Sequence, residues 1–285
     1  MSMNIITHRG LNPADSDFPA ESTYEAFVEF LKQGWGLEFD PCFTKDKRIV
    51  VFHDDNLGRI TAGKNTAKFA DLTVSEIKKI RLGKNGHRLC SLDELLDEVA
   101  RHGAPLSALH LKSRLQNKAS LDLMLSYLKN FPVIFKNLLL FDVTIETAQY
   151  LKKKMPELIM APSVSHFYDI KRYNICTGGT LYSIEEVLKN KDLFNWVWLD
   201  EWDLSDENGR AKRLYNEENF SIFKNAGLKI ALVTPELHGT SPGLLGGEAH
   251  PDADKNRLFP RIREIIDLKP DAVCTDHPEA VQKMT

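Results

Sequence analysis

The sequence predicts an α/β fold, a closed (β/α)8 barrel spanning residues 1–285 as one domain, and three observations predict it. Short β-rich apolar runs alternate with amphipathic stretches along nearly the whole chain, the pattern of parallel βαβ units. Several of these runs are apolar almost throughout, as strands covered on both faces are. About eight such units suit one closed barrel better than two small open sheets, with an open doubly wound sheet as the structural alternative.

Taken in order, the first strand is expected at Asn4–His8, followed by a helix over Thr23–Gln33 that stops at Gly34. Strand runs Leu37–Phe43 and Arg48–His53 come next. The stretch from Asp54 to Leu89 breaks the rhythm: it is polar, rich in Gly, Lys and Thr, and shows no strand of its own and one short helical run, Val74–Ile80. It reads as a small insertion after the second strand, leaving from the C-terminal end of the barrel, where barrels keep their active sites. In Ser91–His102, Leu92, Leu95, Leu96 and Val99 recur at i, i+3, i+4 and i+7, a helix with one buried face. Gly103 stands just past it, where a left-handed stop is expected. Strands at Leu106–Lys112, Asn137–Val143 and Leu158–Val164 then alternate with helices at Ala119–Asn130, Glu146–Met155 and Ile184–Asn190. The last strands, Trp196–Trp202, Lys229–Leu237 and Ala272–Asp276, enclose helices Glu217–Asn225 and Asn256–Leu268, closed by Gly227 and Pro270. The irregular stretch His238–Lys255 leaves a strand at the same end as the insertion.

Bulk properties exclude several function classes. A formal net charge of −3 gives no global attraction to nucleic acid or anionic membranes, so any phosphate-binding power is local. Cys42, Cys90, Cys176 and Cys274 lie far apart without zinc-finger spacing and read as small buried hydrophobes. The first residues lack a basic start and apolar stretch, and no apolar run approaches the ~20 residues of a membrane span. The expectation is a cytoplasmic protein with no integral membrane contact and no nucleic-acid partner. Self-association into a homo-oligomer is left open.

In a parallel barrel, polar residues at the C-terminal strand ends converge on one mouth. Those positions hold His8-Arg9-Gly10, Glu38 and Asp40, His53-Asp54, His110 and Lys112, Asp200-Glu201, Glu236 and His238, and Asp276-His277. Singly, each has a bland reading: a lone strand-end histidine is more often structural, and Lys112 could be a surface lysine. Together they are harder to dismiss, because burying several charges costs several kcal/mol per ion unless they pair or bind metal. Glu38 and Asp40 are two apart on a strand and share a face, two hard oxygen ligands suited to Mg²⁺, Ca²⁺ or Mn²⁺. His110 and Lys112 repeat the spacing. Arg9 can grip a phosphodiester with its planar fork, and His8 and His53 can serve as general base and general acid, since imidazole titrates near neutrality. Glu236 and His238 alternate on one face and could contact the alcohol side of a substrate.

The motifs resemble those of glycerophosphodiester phosphodiesterases. The resemblance rests on His8-Arg9-Gly10, Glu21-Ser22-Thr23 with Ala26-Phe27, Gly36-Leu37-Glu38-Phe39-Asp40, Thr44-Lys45-Asp46 and Val50-Val51-Phe52-His53-Asp54. It continues through Leu57, Arg59 and Thr61 to Ser91-Leu92-Asp93-Glu94, thins from 113 to 228, and returns at Ala272-Val273-Cys274-Thr275-Asp276-His277-Pro278. It implies a TIM barrel that hydrolyses glycerophosphodiesters to glycerol phosphate and an alcohol, a reaction of lipid metabolism. By position it implies His8 and His53 as the acid/base pair, Arg9 and Lys112 on phosphate, and Glu38 and Asp40 as metal ligands. The implied mechanism has a neighbouring substrate hydroxyl attack phosphorus, giving a cyclic phosphate that water opens.

Two departures stand out. The family's third metal ligand is a glutamate where this chain has His110; an imidazole there shifts preference toward Mn²⁺ or Zn²⁺ and away from Ca²⁺. Alternatively, Asp200, Glu201 or Glu236 supplies the missing carboxylate. The family's Trp-Thr pair near the seventh strand is replaced by Leu232-Val233-Thr234-Pro235-Glu236. These departures motivate a second reading, a degenerate barrel that binds a phosphorylated ligand without turnover. A third, a sugar-phosphate isomerase or aldolase, wants glycine-rich phosphate loops after the last strands. Trp198, Trp202 and Phe167 could wall in a choline cation. His87, His102, His166, His250 and His277 have no placed role and read as surface or rim residues.

Overall fold

A computed structural model describes residues 3–202, 205–206, 208–239 and 250–285, with the backbone alone described at 238 and 255. Asn4–His8 lies between Ala272–Thr275 and Gly36–Phe39, parallel to both. From it the sheet runs one way through Gly36–Phe39, Ser107–His110 and Leu138–Phe141. The other way it runs through Ala272–Thr275, Lys229–Val233 and Trp196–Leu199. The two arms meet on the fifth strand, which comes in two pieces, Ile159–Met160 and Ser163–Val164, parted at Pro162. The first piece pairs with Leu138–Phe141 and the second with Trp196–Leu199. Asn195 N–H donates to Met160 O at 3.1 Å and Trp198 N–H to Pro162 O at 3.0 Å, so the ring of parallel strands closes there. The expected barrel is what forms. Leu181–Tyr182 adds a two-residue strand beside Ser163–Val164.

Strand alternation sorts the side chains. Ile6, Ala108, Leu139, Phe141, Trp198, Val233 and Cys274 belong to the cluster that fills the barrel. The strand positions of opposite parity, Leu37, Phe39, Leu109, Leu140 and Val273, pack instead with helix residues Phe27, Leu95, Leu96 and Val99. Counting on by twos from the interior positions brings His8, Glu38, His110, Asp200 and Asp276 to the C-terminal mouth. Those are the charged positions. The helices that cover the barrel start on side-chain caps: Thr23 accepts from Ala26 N–H, Asn117 from Ser120 N–H, and Thr144 from Thr147 N–H.

Several elements differ from expectation. Leu37–Phe43 is two strands: the barrel strand stops at Phe39, and Pro41–Phe43 turns away to pair antiparallel with Ile49–Val51. The excursion from the barrel therefore begins at Pro41 rather than Asp54. It has its own apolar centre, including Val50, Phe52, Leu57, Phe69 and Leu89. It also holds a short antiparallel pair, Arg81–Leu82 with His87–Arg88, where no strand was expected; strands of two residues are too short to show an alternation. The helix Phe167–Thr177 went unread because it buries only Asp169 and Tyr173 and so has no apolar stripe. The seventh strand ends at Val233, and the chain turns into a 3-10 helix over Pro235–Gly239. Cys42, Cys90 and Cys274 are buried, but Cys176 is exposed. No described helix is long and apolar enough to cross a membrane.

Candidate active site

The mouth of the barrel holds a cavity of about 690 Å³. His8, Arg9, Glu38, His53, His110 and Lys112 all line it, with Asp40 fully buried behind them. Residues from three barrel strands and from the end of the antiparallel pair Pro41–Phe43 and Ile49–Val51, a hairpin at the rim, are thus brought to one place.

Each histidine is backed by a carboxylate. His8 ends the first strand, and its Nδ1 lies 2.9 Å from Asp276 Oδ1 at the end of the eighth. Burial pushes the His8 imidazole well below its usual value, Arg9 adds to this, and Asp40 opposes it. Burial likewise pushes Asp276 up to about 7 against the pull of Arg9. His53 follows the rim hairpin, with Nδ1 2.7 Å from Asp54 Oδ1, while Arg59 Nε donates to Asp54 Oδ2 at 2.8 Å. Burial alone would raise Asp54, but the hydrogen bonds from His53 and Arg59 outweigh it and keep the carboxyl ionised. An ionised carboxylate only accepts, so His53 Nδ1 carries the hydrogen and Nε2 keeps its lone pair. Burial, opposed by Asp40, sets the His53 pKa at about 4.

Arg9 takes a left-handed backbone, φ 55°, rare for a residue with a side chain. Two backbone bonds hold the bend, Arg9 N–H to Glu38 O at 3.2 Å and Ser22 N–H to Arg9 O at 2.7 Å. Its guanidinium Nε lies 3.9 Å from Asp40 Oδ2. Lys112 Nζ sits 3.0 Å from Asp40 Oδ1 and also donates to His53 O.

Glu38, Asp40 and His110 form the one group of potential metal ligands among the described residues, each offering an atom within 4.8 Å of the others. His110 Nδ1 is 2.9 Å from Asp40 Oδ1 and 4.0 Å from Glu38 Oε1. Burial, then the Asp40 charge, push Glu38 up to about 8. Asp40 stays well below the usual range: burial would raise it, and Lys112, His53 and His110 outweigh that. Glu38 Oε2 and Asp40 Oδ2 are buried with no hydrogen-bond partner among the described residues. Two orphaned carboxylate oxygens beside an imidazole are the donors a divalent cation satisfies, so these residues fit one. Burial opposes charge on His110, but hydrogen bonds to Asp142 and Asp40 raise its pKa to about 9.

Glu236 does not line the cavity. Its Oε1 accepts from Thr234 Oγ1 at 2.6 Å, Thr275 Oγ1 at 2.7 Å and Asp276 N–H at 3.1 Å, tying the seventh strand to the eighth. Glu236, expected at the alcohol side of a substrate, is thus placed between the two strands behind the cavity, and the His238 side chain lies outside the described residues. Glu201 does not reach the mouth either: it accepts from Leu214 N–H and Tyr215 N–H and pairs with Arg261 at 3.0 Å. Asp200 does line the cavity, as do Trp198 and Trp202, whereas Phe167 stands 61% exposed away from it. His250 is buried beside Glu201 rather than on the rim. The residue missed was Asp142, at the end of the fourth strand and on the cavity, with Oδ2 3.4 Å from His110 Nε2. The strand-end rule that found the others applies to it equally; the apolar run around it hid it.

The sequence model of the glycerophosphoryl diester phosphodiesterase family matches residues 8–176. Glycerophosphodiester phosphodiesterase 1 of Mus musculus is 27% identical over 215 residues, 69% of this chain and 61% of the mouse protein. The chain thus spans under two thirds of that relative. A glycerophosphodiester phosphodiesterase of Caldanaerobacter subterraneus subsp. tengcongensis is 39% identical over 106 residues, 35% of this chain and 41% of that protein. Among solved structures, an Oleispira antarctica phosphodiesterase in complex with its product sn-glycerol-3-phosphate matches with a TM-score of 0.66 at 19% identity, covering 99% of this chain and 96% of that one. That last likeness is one of fold.

Proposed function

Because the chain belongs to the glycerophosphoryl diester phosphodiesterase family, we propose that it hydrolyses a glycerophosphodiester to glycerol phosphate and an alcohol, with a divalent ion bound. The observation that carries this reading is a cavity lined by two histidines, each backed at Nδ1 by a carboxylate, beside Arg9 and Lys112. The Oleispira protein's product, sn-glycerol-3-phosphate, is the product class we carry over.

His8 and His53 exchange the reaction's protons. One imidazole takes the proton of a substrate hydroxyl as its oxygen attacks phosphorus, and the other protonates the departing alcohol. Water then opens the cyclic phosphate, with the two roles reversed. Arg9 and Lys112 hold the phosphate by charge-assisted hydrogen bonds. An ion held by Glu38, Asp40 and His110 would supply positive charge to a non-bridging phosphate oxygen. Arg9→Lys removes the fork while keeping the charge. Losing one bond to a charged group, about 1.5–3 kcal/mol, lowers kcat/KM by about 10–100-fold. Native kinetics in that variant would remove Arg9 from the phosphate site.

The direct test strips the protein of metal with a chelator, then adds back Mg²⁺, Ca²⁺, Mn²⁺ or Zn²⁺ with a panel of glycerophosphodiesters. The expected result is glycerol 3-phosphate release that vanishes on stripping and returns with an ion, Mn²⁺ serving better than Ca²⁺ because of His110. No release with any ion, beside a working relative, overturns the hydrolase. It leaves the reading that His110 favours, a barrel that binds a phosphorylated ligand without turnover.

A further inference from the structure

His110 is fixed from both sides of its ring. Nδ1 faces the Glu38/Asp40 pair, and Nε2 faces Asp142 Oδ2 at 3.4 Å. Asp142 is buried, and it holds a left-handed backbone at φ 65°, which side chains rarely adopt unless something enforces it. Gln116 enforces it. Its Nε2 donates to Leu111 O and to Asp142 O, both at 2.7 Å, and its Oε1 accepts from Thr144 N–H at 2.9 Å. One amide thus ties the chain just after the third strand to the carbonyl of Asp142 and to the N–H of Thr144 two residues on. The plane of the imidazole is fixed too, stacked on Phe141 at 4.6 Å, which stacks on Trp198 at 3.9 Å.

We propose that Asp142 is a positioning residue: by accepting the Nε2 hydrogen of His110, its carboxylate holds the ring so that Nδ1 faces a divalent ion bound with Glu38 and Asp40. The inference rests on the metal site proposed above. An Nε2–H that donates to a carboxylate fixes which nitrogen keeps a lone pair for a cation and makes that nitrogen more basic. It also brings a negative charge to the site at one remove, across the imidazole. His110 contributes no charge of its own as a neutral ligand, and Asp142 offsets this from the far side of the ring. The glutamate that the family resemblance implies at this position needs no such partner.

The test is the Mn²⁺ dissociation constant, measured by calorimetry, for the native chain, Asp142→Asn, His110→Glu and the double variant. Asparagine tolerates a left-handed backbone nearly as aspartate does, and metal-free melting curves check that each variant folds. Asp142→Asn is expected to weaken Mn²⁺ binding by about 10–100-fold in the native chain. In the His110→Glu chain, with no imidazole to hold, the same change weakens it about tenfold less. Equal losses in both backgrounds, or none in the native chain, overturn the positioning role. If the native chain binds no Mn²⁺, the metal reading itself falls, and this inference with it.

Discussion

Replacing either His8 or His53 with alanine lowers kcat by about 10²–10⁴-fold, the range for loss of a general acid or base, while the variant still melts cooperatively. The size follows from where the rings sit. Both line the cavity, and both give Nδ1 to a carboxylate, which leaves Nε2 as the nitrogen for substrate. Burial disfavours the charged form of each, so an imidazolium formed in mid-reaction gives its proton up readily. The fold tolerates the losses because neither ring belongs to the apolar clusters. Asp54 keeps its bond from Arg59 after His53 is gone, and burial already raises Asp276 to about 7, so that carboxyl can hold a proton in place of a charge. Steady-state kinetics beside melting curves check this. Losses below tenfold in both variants would retire the acid/base assignment and leave the cavity as a binding site.

Much of this site is legible in the sequence because barrel geometry turns position along a strand into position in space. A charge that ends a β-rich apolar run must emerge at the mouth, and His8, Arg9, Glu38 and His110 were readable on that ground alone. The rule fails where the strand stops earlier than the apolar run does. Val233 is the last paired residue of its strand, yet Thr234-Pro235-Glu236 continued the pattern on paper; the 3-10 turn there swings Glu236 onto Thr234 and Thr275 instead. The rim hairpin is the same failure in another form. Pro41-Cys42-Phe43 extends the apolar character of Gly36–Phe39, and only pairing with Ile49–Val51 shows that the chain has left the barrel. Long-range charge networks stay invisible for a different reason. His250, Glu201 and Arg261 meet across distant parts of the chain, and no local pattern records that they do.

Gly36→Ala is expected to prevent folding, the largest effect on stability predicted for this chain. Gly36 pairs with Ile6 through the first strand, and its carbonyl accepts from Thr7 Oγ1 at 3.2 Å. On its other side the chain entering the third strand crosses so closely that an added Cβ would lie 1.7 Å from Leu106 O and 2.7 Å from Leu106 C. Both obstructing atoms are backbone, so no side chain can swing aside. Relief requires the second strand to part from the third, and the Glu38–Ala108 pairing lies only two residues on. The loss should exceed about 4 kcal/mol, the range reserved for disruption of a core, against a total stability of about 5–15 kcal/mol. Gly34→Ala is the control. Gly34 has φ 78° with nothing within 4 Å of its Cβ position, so alanine there bears only the left-handed penalty of about 1–2 kcal/mol. Soluble yield and melting temperature separate the two. If Gly36→Ala melts like Gly34→Ala, the close approach of the second and third strands is wrong. Glu38 and Asp40 then lose the strand that sets them facing His110, since the register that excludes a methyl group at Gly36 is the register that brings these three side chains together.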